Sequence, residues 1–356
     1  MHKTAAFGTA HETALNTNNT TKLTARLAAP ILALLPIATA VVCVAFGRYG
    51  VSVSEMIQVF FAVITGQKDT VDPTTYTVLI NLRLPRVILA ILCGAGLSVS
   101  GTAFQSLFAN PLATPDTIGV AAGASFGAAL GLLLGKEILA VQLLSILFGL
   151  SAVLLTGVIL RGSGLSNTIM VILSGIMISS LFNALISLVK FTADSEEQLP
   201  SITYWLMGSL ASSNYKSLMF CAPLIIIGMV VIFMLRWRLN ILCLTDDEAH
   251  SQGVNLPRLR LVVIVCATMI TASCVAMCGQ VGWVGLLIPH ICRMAFGSNT
   301  SKIVPASISF GAVFMLIIDT VARSMSSVEI PVSVLTAIIG APFFIILLKK
   351  TGGAAL

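Results

Sequence analysis

Arg83 and Arg86 flank Leu84-Pro85 at the head of the apolar run "VILAILCGAGLSVSGTAF". A guanidinium is a planar fork that grips a carboxylate through two parallel hydrogen bonds, and it stays charged at any relevant pH. A third arginine, Arg323, follows Asp319 by four residues near the end of another apolar run. One helical turn separates them, which suits a structural ion pair as well as a functional charge. His290 follows Pro289, where it fits either a hydrogen-bonded structural role or proton handling. His290 and Asp319 are the strongly polar candidates near the interiors of the apolar runs.

These residues do not assemble into an enzyme. No Ser-His-Asp order, HExxH or paired carboxylate accompanies them. Around Gly135-Lys136, Leu130 stands where a phosphate loop needs its first glycine, and Glu137 where it needs Ser or Thr. If transport here is driven by ATP, the motor is another subunit. The eight cysteines fall inside or at the ends of apolar segments and form no CxxC pair, so they are expected as small buried hydrophobes. No catalytic centre, metal site or cofactor is expected.

The elements that must position the arginines are read from composition. Hydrophobic residues make up 57% of the 356 and charged residues 10%, too little charge to cover a soluble domain. The 20 Lys and Arg are scattered singly at the ends of apolar runs, which is not a nucleic-acid footprint. An all-α polytopic membrane protein follows. About 20 apolar residues span a bilayer as a helix. Ten candidates meet or approach that length: 28–46, 85–106, 117–135, 138–160, 167–189, 217–235, 260–279, 283–296, 303–322 and 332–348. The third, "TIGVAAGASFGAALGLLLG", has the small residues that let helices approach closely in lipid.

An even number of crossings puts both termini on one side. With that side cytoplasmic, 12 Lys and Arg lie inside and 8 outside, the direction the positive-inside rule favours. Residues 1–25 are polar, rich in Thr and Asn, and lack a signal-type apolar core, so a disordered cytoplasmic tail is expected. A single domain over 26–350 and a short tail over 351–356 complete the chain. The outside loop 190–216 carries an amphipathic "ITYWLMGSL". The inside loop 236–259 carries Asp246, Asp247 and Glu248 ahead of Gly253, which reads as one or two short helices. At a shift of 174 residues Arg86 falls on Arg260 and Pro115 on Pro289, a weak echo of an inverted repeat.

"RLPR", "FANPLATPDTIGVAAGASFG", "YWLMGSL", "LTDDEAHSQGV", "GQVGWVGLLIPHICR" and "DTVARSMSSVEIPVSVLTAIIGAPFF" occur in that order. Together, from about Leu27 to Lys350, they resemble the permease subunit of the type II ABC importers for iron–siderophore complexes, haem and cobalamin, the FecCD/BtuC-like family. The resemblance implies ten membrane helices and a second permease subunit, identical or a close paralogue, with one pathway between the two. It also implies two copies of an ATP-binding subunit beneath and an extracytoplasmic substrate-binding protein above, all at the cell membrane. It implies roles for particular residues as well. Arg83, Arg86 and Arg323 would receive glutamates of the binding protein. Asp246, Asp247, Glu248, Ala249 and Gly253 would rest on the ATP-binding subunit. Asn110 and Leu112, with Asn167 and Thr168, would form a cytoplasmic gate. Thr245 and His250 depart from the family's usual glycine and arginine, which bears on partner choice.

Two other classes compete. A secondary transporter with internal repeats would carry its own ion site, for which only Asp319 volunteers. An intramembrane enzyme would need a nucleophile–base pair, and none is present.

Overall fold

The computed structural model describes residues 30–47, 49–67, 70–163, 168–244, 246–326 and 328–351, so both expected tails lie outside the described residues apart from residue 351. The described chain is helical: α1 Pro30–Ala45, α2 Val53–Thr65, α3 Pro73–Leu107, α4 Val120–Leu133, α5 Ile138–Ser163, α6 Thr168–Thr192, α7 Gln198–Leu206, α8 Tyr215–Leu235, α9 Asp246–Ser251, α10 Leu256–Cys278, α11 Val284–Phe296, α12 Thr300–Ser324 and α13 Val332–Thr351. Each of the ten expected spans falls on one of these helices. Six of them (α3, α5, α6, α8, α10 and α12) are long and apolar enough to cross a membrane alone.

Burial sorts the bundle into centre and periphery. The most apolar stretch of α3 is 83% buried and that of α10 is 72% buried, against 22% for α5. The reason is written in α3. From Cys93 to Ala103 its residues are small or polar except for Leu97 and Val99, and all of them are buried. Small side chains let neighbouring backbones come close, which is how helices associate where lipid removes the hydrophobic drive. A Cβ on Gly94 would stand 2.2 Å from the Gly311 carbonyl oxygen of α12, and one on Gly101 would stand 1.9 Å from that of Gly285 in α11. Hydroxyls then bridge the contact. Thr102 and Ser307 hydroxyls meet at 2.9 Å, and the Thr271 hydroxyl reaches that of Ser100 at 3.2 Å.

Helix ends are set by local chemistry. Asn214, Asn255 and Asn299 side chains accept from backbone N–H groups two or three residues on, capping α8, α10 and α12. Pro85 is the exception inside α3, since it cannot donate to the helix. The helix widens to a π turn over Thr77–Arg83, where Leu84 N–H reaches Leu79. In that register Pro85 would have served the Ile80 carbonyl. The Tyr215 hydroxyl of α8 donates to Ile80 instead, at 2.6 Å. Tyr215→Phe is therefore expected to cost about 1 kcal/mol, read as a small drop in the thermal midpoint of the purified protein.

The loop over residues 236–259 holds two short helices as expected, a 3-10 helix over Arg238–Cys243 and then α9. The repeat echo does not extend to local structure. Pro115 opens a 3-10 turn between helices, whereas Pro289 sits inside α11. α2 was not anticipated.

Candidate functional site

The last turn of α1 leaves carbonyls that no residue of its own helix can satisfy. Phe46 N–H takes Val42. Arg83 Nη1 donates to the carbonyls of Val44 at 2.7 Å and Ala45 at 3.1 Å, and its Nη2 donates to that of Tyr49. Arg323 Nη2 donates to the Cys43 carbonyl. Two guanidiniums thus cap α1 at its negative end, where the helix dipole favours them. Gly47 makes room, because a Cβ there would stand 2.5 Å from Arg83 Nη2.

Arg86 turns the other way. Its Nε donates to Asp319 Oδ1 at 2.8 Å and its Nη1 to Glu329 Oε1 at 2.8 Å. Arg323 Nε lies 3.6 Å from Asp319 Oδ2. The Asp319 expected to pair along its own helix therefore pairs more closely across to α3. Arg83, Arg86, Arg323 and Glu329 line one open cavity of about 300 Å³, with Gly47, Tyr49 and Ser213 on its walls. Three guanidiniums against two carboxylates leave a net positive charge among these five groups.

The three arginines chosen from sequence are thus brought together. Glu329, Asp319 as the partner of Arg86, and the α1 carbonyls were not chosen. Only "SSVEIP" close after Arg323 hinted at an acid within reach.

The acidic segment lies at the other end of the molecule. α10 begins at Leu256 just after α9 and runs 23 residues to Cys278, about 35 Å. Ser209 N–H bonds the Cys278 carbonyl, and Val332 N–H bonds that of Gly208 at 2.9 Å, tying this end of α10 to the loop that carries Glu329. Asp247 and Glu248 are exposed and Ala249 is buried, while Gly253 turns into α10 with φ +68°. Asp246 lies in α9, and its side chain is outside the described residues.

Of the expected gate residues, Asn110 and Leu112 are the two with described side chains. The Asn110 side chain accepts from Leu112 N–H at 2.8 Å, forming a turn, and Leu112 is exposed. Asn167 lies outside the described residues, and Thr168 opens α6 with its side chain undescribed. His290 is buried edge-on to Phe344. To His290 and Asp319 the structure adds Asp116, exposed in the Pro115–Ile118 turn beside mid-helix Leu97 and Ser100 of α3. Seven cysteines are buried free thiols, with Cys278 Sγ 3.6 Å from Cys93 Sγ, and Cys243 is exposed. Among the described residues no group of His, Cys, Asp and Glu could hold a metal.

The described chain is a many-helix bundle with a charged cavity at one end and an exposed acidic helix at the other. The FecCD transport family matches residues 34–350, and the chain belongs to that family. It is 41% identical over 319 residues to the molybdate import system permease protein MolB of Haemophilus influenzae, covering 90% of this chain and 94% of that protein. It is 35% identical over 328 residues to the Fe(3+)-citrate import system permease protein YfmE of Bacillus subtilis, covering 91% and 95%. A solved metal-chelate type ABC transporter in an inward-facing conformation superimposes with a TM-score of 0.82 at 40% identity, over 91% of this chain and 99% of that one. The chain is an ABC importer permease subunit, a transport component rather than an enzyme.

Proposed function

We propose that this chain forms, with a second permease subunit, the pathway by which an iron–siderophore complex enters the cell, driven by two copies of a separate ATP-binding subunit. The observation that carries the reading is the division of charge between two ends. An open arginine cavity lies about 35 Å along α10 from the exposed acidic helix α9. The cavity receives a glutamate of the substrate-binding protein, and α9 rests on the ATP-binding subunit, with both termini cytoplasmic. Asn110, Leu112, Asn167 and Thr168 line the inner gate. The iron-citrate relative and the metal-chelate structure support a chelate as cargo. The molybdate relative favours a second reading, an oxyanion. Uptake of radiolabelled ferric siderophore and of molybdate by proteoliposomes holding the full complex separates them. Uptake of neither would sink both.

Docking is best tested at Arg83, which donates to the backbone carbonyls of Val44, Ala45 and Tyr49. Reversal at Arg86 or Arg323 would set a carboxylate beside Asp319 and strain the fold as well. Arg83→Gln removes the charge but keeps an amide donor for the α1 carbonyls, and is expected to weaken capture of the binding protein roughly ten- to hundredfold, the worth of one charged hydrogen-bond pair, with membrane expression retained. Wild-type affinity would remove the docking role. Replacing Asp246, Asp247 and Glu248 together with alanine is expected to weaken association with the ATP-binding subunit in pull-down without unfolding the permease.

A further inference from the structure

α2 is 13 residues long, about 20 Å, too short to cross a hydrocarbon core of about 30 Å. It lies between the cavity-side ends of α1 and α3. Its ends are closed from within, by a Ser52–Glu55 capping box and by Gly66 with φ 75°. Its apolar residues form two adjacent strips. Met56, Val59 and Ala62 are buried against the bundle. Val53, Ile57, Phe61 and Ile64, spaced by four, four and three residues, are 62%, 61%, 63% and 83% exposed. Ser54, Glu55, Gln58 and Thr65 fill the remaining arc.

We propose that α2 is an interfacial anchor whose Val53, Ile57, Phe61 and Ile64 strip is seated at the acyl-chain boundary of the lipid leaflet on the cavity side. A contiguous strip of four large apolar side chains does not stay bare in water without inviting aggregation. α1, which precedes it, exposes Ile37, Val41 and Val42, large apolar residues of the same kind. Helix–helix contacts in lipid select small residues, and the strip has none, which disfavours a second copy of the chain as its cover. The polar arc beside the strip belongs in water. Hydrogen bonds from the Ser52 backbone and then its side chain hold the Glu55 carboxyl below its usual pKa, so it is ionised and needs solvent. This division between an apolar and a polar face is that of a helix lying in the membrane plane. The anchor fixes the height of Tyr49, whose carbonyl holds Arg83, and so sets the cavity mouth at the membrane surface. The inference rests on the chain spanning a membrane and not on its cargo or partners.

Spin labels test it in the full chain. Cys243→Ser removes the exposed thiol and leaves seven buried ones. Single cysteines then replace Ile57 and Phe61 on the strip and Ser54 and Gln58 on the arc, in phosphatidylcholine–phosphatidylglycerol nanodiscs. The ratio of oxygen to Ni-EDDA accessibility is expected to be several-fold higher on the strip. Equal ratios would mean the strip faces water, and loss of both accessibilities with spin–spin broadening would mean a second copy covers it. Either overturns the anchor. Phe61→Trp, a conservative change at an exposed site, gives an independent reading. Its added fluorescence is expected to be quenched in discs of brominated lipid, and an unquenched signal would also overturn the proposal.

Discussion

Asp319→Ala is expected to destabilise the protein by about 3–5 kcal/mol, the cost of removing one partner from a buried ion pair. The carboxylate is 2% exposed, accepts from Arg86 at 2.8 Å and faces Arg323 at 3.6 Å. Without it two guanidiniums face each other at the edge of a low-dielectric bundle, with Glu329 still paired to Arg86. Thermal unfolding of the detergent-purified protein, followed by intrinsic fluorescence, reads the loss. The double variant Asp319→Leu with Arg86→Met should recover much of it, since exchanging both members of a buried pair for apolar residues is often close to neutral. A wild-type midpoint for Asp319→Ala would mean that Arg86 is held by Glu329 alone.

Gly311→Val should match that effect by a different route, at about 3 kcal/mol or more. The new Cβ would stand 2.3 Å from the Gly94 carbonyl oxygen and 2.7 Å from the Ser98 Cβ. Backbone cannot yield that distance by rotating a side chain, so α3 and α12 must part. Asp319 lies eight residues further along α12, so the parting also pulls it from Arg86. Gly157→Val is the control, because a Cβ there meets nothing within 4 Å. Equal loss at both sites would show that helix propensity, not close packing, sets the cost.

The helices were legible because each is a local object. A run of about 20 apolar residues in lipid has no alternative to satisfying its own backbone. Capping asparagines at 214, 255 and 299 mark starts that no tertiary contact is needed to explain. α2 escaped notice for the same reason in reverse. Thirteen residues are too few for a span, and its apolar residues cover two faces, so neither length nor a single stripe announces it. Asp116 escaped because it stands in a loop by sequence and beside mid-helix residues of α3 only once the Pro115–Ile118 turn folds back.

By itself the sequence determined the class of molecule and the run of helices, and it singled out three arginines among twenty basic residues. Those follow from composition, apolar run length and ordered motifs, all readable along one chain. Tertiary structure alone decided what the arginines hold. Arg86 and Asp319 are 233 residues apart and Arg323 and the Cys43 carbonyl 280 apart, and no periodicity links such positions. They meet because Gly94 and Gly311 let α3 and α12 touch backbone to backbone, and because α1 ends with open carbonyls beside them. A guanidinium buried at that junction must take the carboxylates and carbonyls the packing brings to it, since leaving its charge and donors unpaired costs more than any local preference.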